Sequence, residues 1–172
     1  MEPTRTELGF TRTECACGEC ITNCEIIPGY LIPSDIEVIA AHLDYDNLVQ
    51  FAMENLLASP GAIVSVAGEI MQIPTLVPQR KPDQTCEFLD ANKRCAIHTV
   101  SPFGCAFFHC RMSQREADLR SCRGLQAIAR EWAAGGLYAQ IWTLLRTAGL
   151  VAPSPMEVRA RLSKAIASSQ AC

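Results

Sequence analysis

The chain lacks a run of eighteen apolar residues: its most apolar stretch, 62–77, is interrupted by Glu69, Gln72 and Pro74, so no membrane-spanning helix is expected. The opening stretch MEPTRTELGFTRTE has neither an apolar core nor a small-residue cleavage site. It gives no sign of a secretory leader, and the expected compartment is the reducing cytoplasm. Neither sign of charge dominates, since 15 Lys+Arg against 18 Asp+Glu leave a net −3. That balance argues against nucleic acid or a membrane surface held by bulk attraction. Also missing are a P-loop, a G-x-G-x-x-G turn, an H-E-x-x-H helix and a G-x-S-x-G elbow. No catalytic residue is assigned, and a non-enzymatic role is expected.

Cysteine is what the chain has in excess, with 10 among 172 residues. Four fall between Cys15 and Cys24, four between Cys86 and Cys110, and two stand apart as Cys122 and Cys172. In a reducing compartment such clusters hold metal or do redox chemistry. Near neighbours in sequence lower the cost of gathering thiolates around a metal. Cys17-Gly-Glu-Cys20 is a C-x2-C turn bracketed by Cys15 and Cys24, and its glycine can let backbone amides face sulfur. Cys86, Cys95, Cys105 and Cys110 are spaced too widely to be a motif alone, but the chain between them carries no helical or strand period. Cys122 and Cys172 are expected to be structural.

With 49% apolar residues the chain can bury a core of its own. The expected fold is mostly α with irregular cysteine-rich loops, a small α+β arrangement being the alternative. Residues 1–112 are expected to form a cysteine-cluster unit and 113–172 a helical segment packed on it, as one compact body. Residues 1–14 are expected to be a loose arm. Ser34 to Glu37 has the form of a capping box, and Asp46 is the expected cap of a second helix that Ser59-Pro60-Gly61 ends. Residues 62–78 are expected to be extended. Ser113 to Glu116 is a second capping box, opening a helix that runs to Gly135-Gly136. A further helix spans Leu137 to Ala148 and stops at Gly149, and Ser154, Pro155 and Glu157 open the last. The arginines at 111, 115, 120, 123 and 130 are interleaved with acids, as on a solvated helix face. Trp132, Leu137, Trp142 and Leu145 are core candidates, with Tyr138 at an edge.

Cys86-Glu-Phe88-Leu89, Cys95-Ala-Ile97-His98 and Pro102-Phe-Gly-Cys105 follow the first group in an order that resembles the YkgJ-type cysteine-cluster family. Those proteins are described as zinc- or iron-chelating. They carry C-x2-C-x2-C-C, then C-x-F-L, C-x-I-Tyr/His and R-P-x-x-C-R. The resemblance covers residues 15–110 and implies metal chelation at Cys17, Cys20, Cys86, Cys95 and Cys105. Here Cys15 gives C-x-C-x2-C, Cys24 stands in for the doubled cysteine, and Ser101 and Ala106 replace the two arginines. His98 falls where the family often has Tyr, which implies packing rather than ligation, and His109, flanked by Phe108 and Cys110, is a minor candidate ligand.

The expected ligands are therefore Cys15, Cys17, Cys20, Cys24, Cys86, Cys95, Cys105 and Cys110, enough for two four-ligand sites that take cysteines from both groups. Thiolate-only ligation suits one or two [4Fe–4S] clusters used in electron transfer or cluster handling, with a redox or accessory protein as partner. The alternatives are Zn2+ in an interaction module without chemistry, and redox-active thiols.

Overall fold

The computed structural model describes residues 8–13, 15, 17–66, 69–146, 156–157 and 160–161, with side chains at 62–72 left aside. The expected stop at Gly149, the cap at Ser154-Pro155 and Cys172 lie outside these residues. The architecture is mostly α with one small sheet: α1 (Gly18–Ile26), α2 (Pro33–His42), α3 (Leu48–Asn55), the hairpin β1 (Leu56–Val66) and β2 (Glu69–Pro78), the short α4 (Phe103–Ala106), α5 (Gln114–Ala134) and α6 (Leu137–Leu145).

Helix α2 begins two residues earlier than its sequence cap, Ser34, suggests. Ile32 is the N-cap and Pro33 takes the first position, where its missing N–H is no loss. The acid that reaches back is Asp35, not Glu37: Asp35 Oδ2 accepts the Ile32 N–H at 2.8 Å. Fully buried, the same oxygen also accepts the Phe103 N–H at 2.9 Å, tying α2 to α4. Asn47 rather than Asp46 caps α3, its Oδ1 accepting from Val49 and Gln50. Ser59-Pro60-Gly61 does not stop a helix, because α3 ends at Asn55 and passes straight into β1. Those three residues form a bulge, the register slipping between Ser59 and Ala62. Gly61 sits at φ +93°, and a Cβ there would lie 1.5 Å from the Ile73 carbonyl oxygen, so no side chain fits. The extended character expected of 62–78 is met by an antiparallel hairpin pairing Leu56 with Pro78 and Val66 with Glu69.

Helix α5 follows its caps, whereas α6, expected to run to Ala148, ends at Leu145. Ser113 Oγ accepts the Glu116 N–H, and Gly135 closes α5 in the left-handed region at φ +64°. Trp132 and Trp142 meet edge-on at 5.6 Å, both buried. Tyr138 is not an edge residue. Fully buried, its hydroxyl donates to Leu31 O and accepts the Leu76 N–H, both at 2.8 Å. It thus links the chain before α2 to β2, beside the Leu31 N–H to Leu76 O bond, and burial pushes its phenol pKa well up.

Nor are residues 8–13 a loose arm. Leu8 and Phe10 pack against the core. The Thr13 N–H donates to Ala106 O at 2.7 Å. Arg12 donates to His98 O at 2.5 Å and Ser101 Oγ at 2.7 Å. Arg120, expected on a solvated face, is instead largely covered: its guanidinium lies 5.0 Å from the centre of the Phe10 ring, donates to Phe107 O and pairs with Glu116. Two arginines from opposite ends of the chain therefore clamp the arm onto the 98–107 loop, and the arm delivers the first cysteines. Among the described residues no helix is long and apolar enough to cross a membrane.

Candidate metal centre

The first cysteine group is a helix, not a knot. Cys17 is the N-cap of α1, Cys20 falls in its first turn and Cys24 one turn later. None of the nine residues of α1 is buried, and no side chain caps it. So short a helix is marginal by itself, and its three sulfurs are the groups it offers to the rest of the molecule.

Those sulfurs go to two places. Cys15, Cys17 and Cys20 meet Cys110, all four sulfurs lying within 4.8 Å of one another. Cys17 and Cys110 are 3.3 Å apart, Cys15 and Cys20 3.6 Å, and Cys15 and Cys110 4.0 Å. Four thiolates at the usual Zn–S distance form a tetrahedron with edges of about 3.8 Å, so the spacing is that of a single ion. Two of the four, Cys17 and Cys110, are exposed. The Cys20 N–H, with the Cys110 thiol next in effect, lowers Cys17 from 9.0 to about 6. Beside it, Cys110 is pushed up to about 12, chiefly by Cys17, and burial raises Cys20.

A reactivity pattern follows. In metal-free protein at pH 7, Cys17 is above its pKa and carries the nucleophilic thiolate, whereas Cys110 keeps its proton. Iodoacetamide is expected to modify Cys17 first, with a rate that rises through about pH 6. Peptide mapping after brief labelling checks this; a profile centred near 9 would show that the helix terminus does not activate the thiol.

The second cysteine region, 79–98, contains a repeat that its side chains conceal. Lys81 N–H donates to Thr85 O and Gln84 N–H to Lys81 O; nine residues later Asp90 N–H donates to Arg94 O and Lys93 N–H to Asp90 O. The shift by nine holds for Glu87 to Gln79 against Ala96 to Phe88, and for Leu89 to Cys86 against His98 to Cys95. It holds too for the bridges Arg80–Cys86 and Leu89–Cys95, and for the left-handed residues Gln84 and Lys93. Each turn thus ends by presenting a cysteine, and the amide two residues on, Phe88 or Ile97, faces its sulfur and favours the thiolate. Phe88 and Ile97 are themselves buried and anchor the two turns in the core. The Lys81 ammonium donates to Leu89 O, stitching one turn to the next.

Cys105 arrives by a different route. Gly29 and Gly104 cross so closely that a Cβ on Gly29 would sit 2.3 Å from the Gly104 carbonyl carbon. The Gly104 N–H donates to Tyr30 O at 2.9 Å, and the Gly29 N–H donates to Cys105 Sγ at 3.3 Å. Cys24, Cys86, Cys95 and Cys105 then open into one cavity of about 580 Å³, which Cys15, Cys20 and Cys110 also line. Burial, ahead of neighbouring thiols, raises Cys86, Cys95 (to about 11) and Cys105.

Seven of the eight expected ligands therefore line this cavity, Cys17 joining only through the close-set group, and cysteines of both sequence groups interleave. His98 and His109 line the cavity, but neither joins the close-set group at Cys15, Cys17, Cys20 and Cys110. His42 is exposed in the last turn of α2. Cys122 is buried on α5 and disulfide-bonded, which removes it as a reactive thiol. No family model, curated protein or solved structure matches the chain.

Proposed function

We propose that the chain is a thiolate metalloprotein in which Cys15, Cys17, Cys20 and Cys110 hold one tetrahedral ion, with Zn2+ the ion they suit best. The observation that carries this reading is the close approach of four sulfurs, all within 4.8 Å of one another and three pairs at 3.3 to 4.0 Å. A closed four-cysteine site is the arrangement of structural zinc. Here it would clasp the arm and α1 to the loop that ends at Cys110. Zinc analysis of protein purified without oxygen is expected to give one ion per chain at this centre, lost in Cys110→Ser with the helices retained. Iron and sulfide that disappear in Cys110→Ser would instead make the centre a cluster and overturn the zinc assignment.

The second reading is an iron–sulfur protein serving electron transfer or cluster handling, with a redox or accessory protein as partner. It is favoured by the four further cysteines on the same cavity and by the resemblance to the YkgJ-type family.

A further inference from the structure

Cys24, Cys86, Cys95 and Cys105 face one another more loosely than the clasp does. Among the described residues no three of their sulfurs come within 4.8 Å of one another. Yet they share a cavity wall. A single ion would require edges of about 3.8 Å. In a cubane each cysteine binds a different iron, so inorganic sulfides and iron corners separate the four thiolates. The wider spacing, and a cavity of about 580 Å³ in place of a closed tetrahedron, suit the larger group.

We infer that Cys24, Cys86, Cys95 and Cys105 form a second site, separate from the single-ion clasp, that takes a polynuclear iron–sulfur cluster of the [4Fe–4S] class. The inference rests on the iron–sulfur reading above and assigns it to these four residues alone. One of the four sulfurs already accepts from a backbone donor, the Gly29 N–H at 3.3 Å from Cys105 Sγ. Such N–H groups offset the negative charge of cluster thiolates and tune the potential. Phe88, Leu89 and Ile97 supply a buried apolar wall, which limits water at a cluster.

The test is reconstitution of the full chain without oxygen, using equal ferric and ferrous iron with sulfide in the presence of zinc, followed by metal and sulfide analysis and absorption spectra. The expected product carries about four irons and four sulfides per chain, absorbs in the blue, and retains one zinc. Cys24→Ser and Cys95→Ser are expected to lose iron, sulfide and colour while keeping zinc. Cys110→Ser is expected to do the reverse. Cys24 is the safer variant, because it lies at the edge of the core on a helix that fully buries none of its residues. Absence of sulfide-dependent colour in the reconstituted chain would overturn the inference. So would iron and sulfide that survive Cys24→Ser, or that vanish in Cys110→Ser. A cluster that tracks Cys24 in a chain that binds no zinc would uphold this site and sink the clasp alone.

Discussion

Gly29→Ala is expected to destabilise the protein by at least about 3 kcal/mol and to strip Cys105 of its backbone donor. The added methyl would sit 2.3 Å from the Gly104 carbonyl carbon and 2.5 Å from the Cys105 amide nitrogen. Both neighbours are backbone, so no rotamer change relieves the contact and one of the two chain segments must move. That movement separates the Gly29 N–H from Cys105 Sγ, now at 3.3 Å, and the Tyr30 carbonyl from the Gly104 N–H. Gly104→Ala should act alike, its methyl lying 2.5 Å from the Tyr30 amide nitrogen. Urea denaturation followed by circular dichroism gives the stability, and metal analysis after reconstitution reports the site. An alanine variant with an unchanged midpoint and unchanged metal content would show that the crossing has slack.

Asp35→Ala is expected to cost about 4 kcal/mol, because two buried amides lose their acceptor together and each orphaned group costs about 1–3 kcal/mol. Asp35 Oδ2 serves the Ile32 N–H at the start of α2 and the Phe103 N–H at the start of α4, two residues before Cys105. No water reaches the position, which is fully buried. Asp35→Asn keeps an acceptor oxygen in the same place and should recover a good part of the loss. Against a typical total stability of about 5–15 kcal/mol, the alanine variant would be close to unfolding in mild denaturant. A loss under about 1 kcal/mol in urea melts would mean that the amides find other partners.

The local signals of the sequence were legible where one short segment decides the outcome. Ser113 with Glu116 and Gly135 mark the two ends of α5 by capping alone, and the structure places them so. The cysteine content pointed to a thiolate site, and the four sulfurs at Cys15, Cys17, Cys20 and Cys110 come together. Less legible were features that depend on distant partners. Nothing in Gly29 or Gly104 marks a crossing, since each is ordinary until the other, 75 residues away in number, is packed against it. Tyr138 looks like an edge residue on α6 until Leu31 and Leu76 converge on its hydroxyl. Helix α1 carries no apolar stripe, so periodicity is silent about it. The nine-residue repeat was hidden because its two copies share backbone hydrogen bonds while their side chains, apart from Cys86 and Cys95, differ.

Helix α1 has one more consequence. Cys20 belongs to the close-set group and Cys24 faces the wider one, four residues apart on the same face. Whichever group is loaded first must order the helix, and the second then finds its ligand already in place. Loaded as proposed above, the two sites would bind cooperatively without touching, since the conformational entropy lost by nine residues would be charged to only one of the two events. By reciprocity, release from either centre weakens the hold of the other by the same factor.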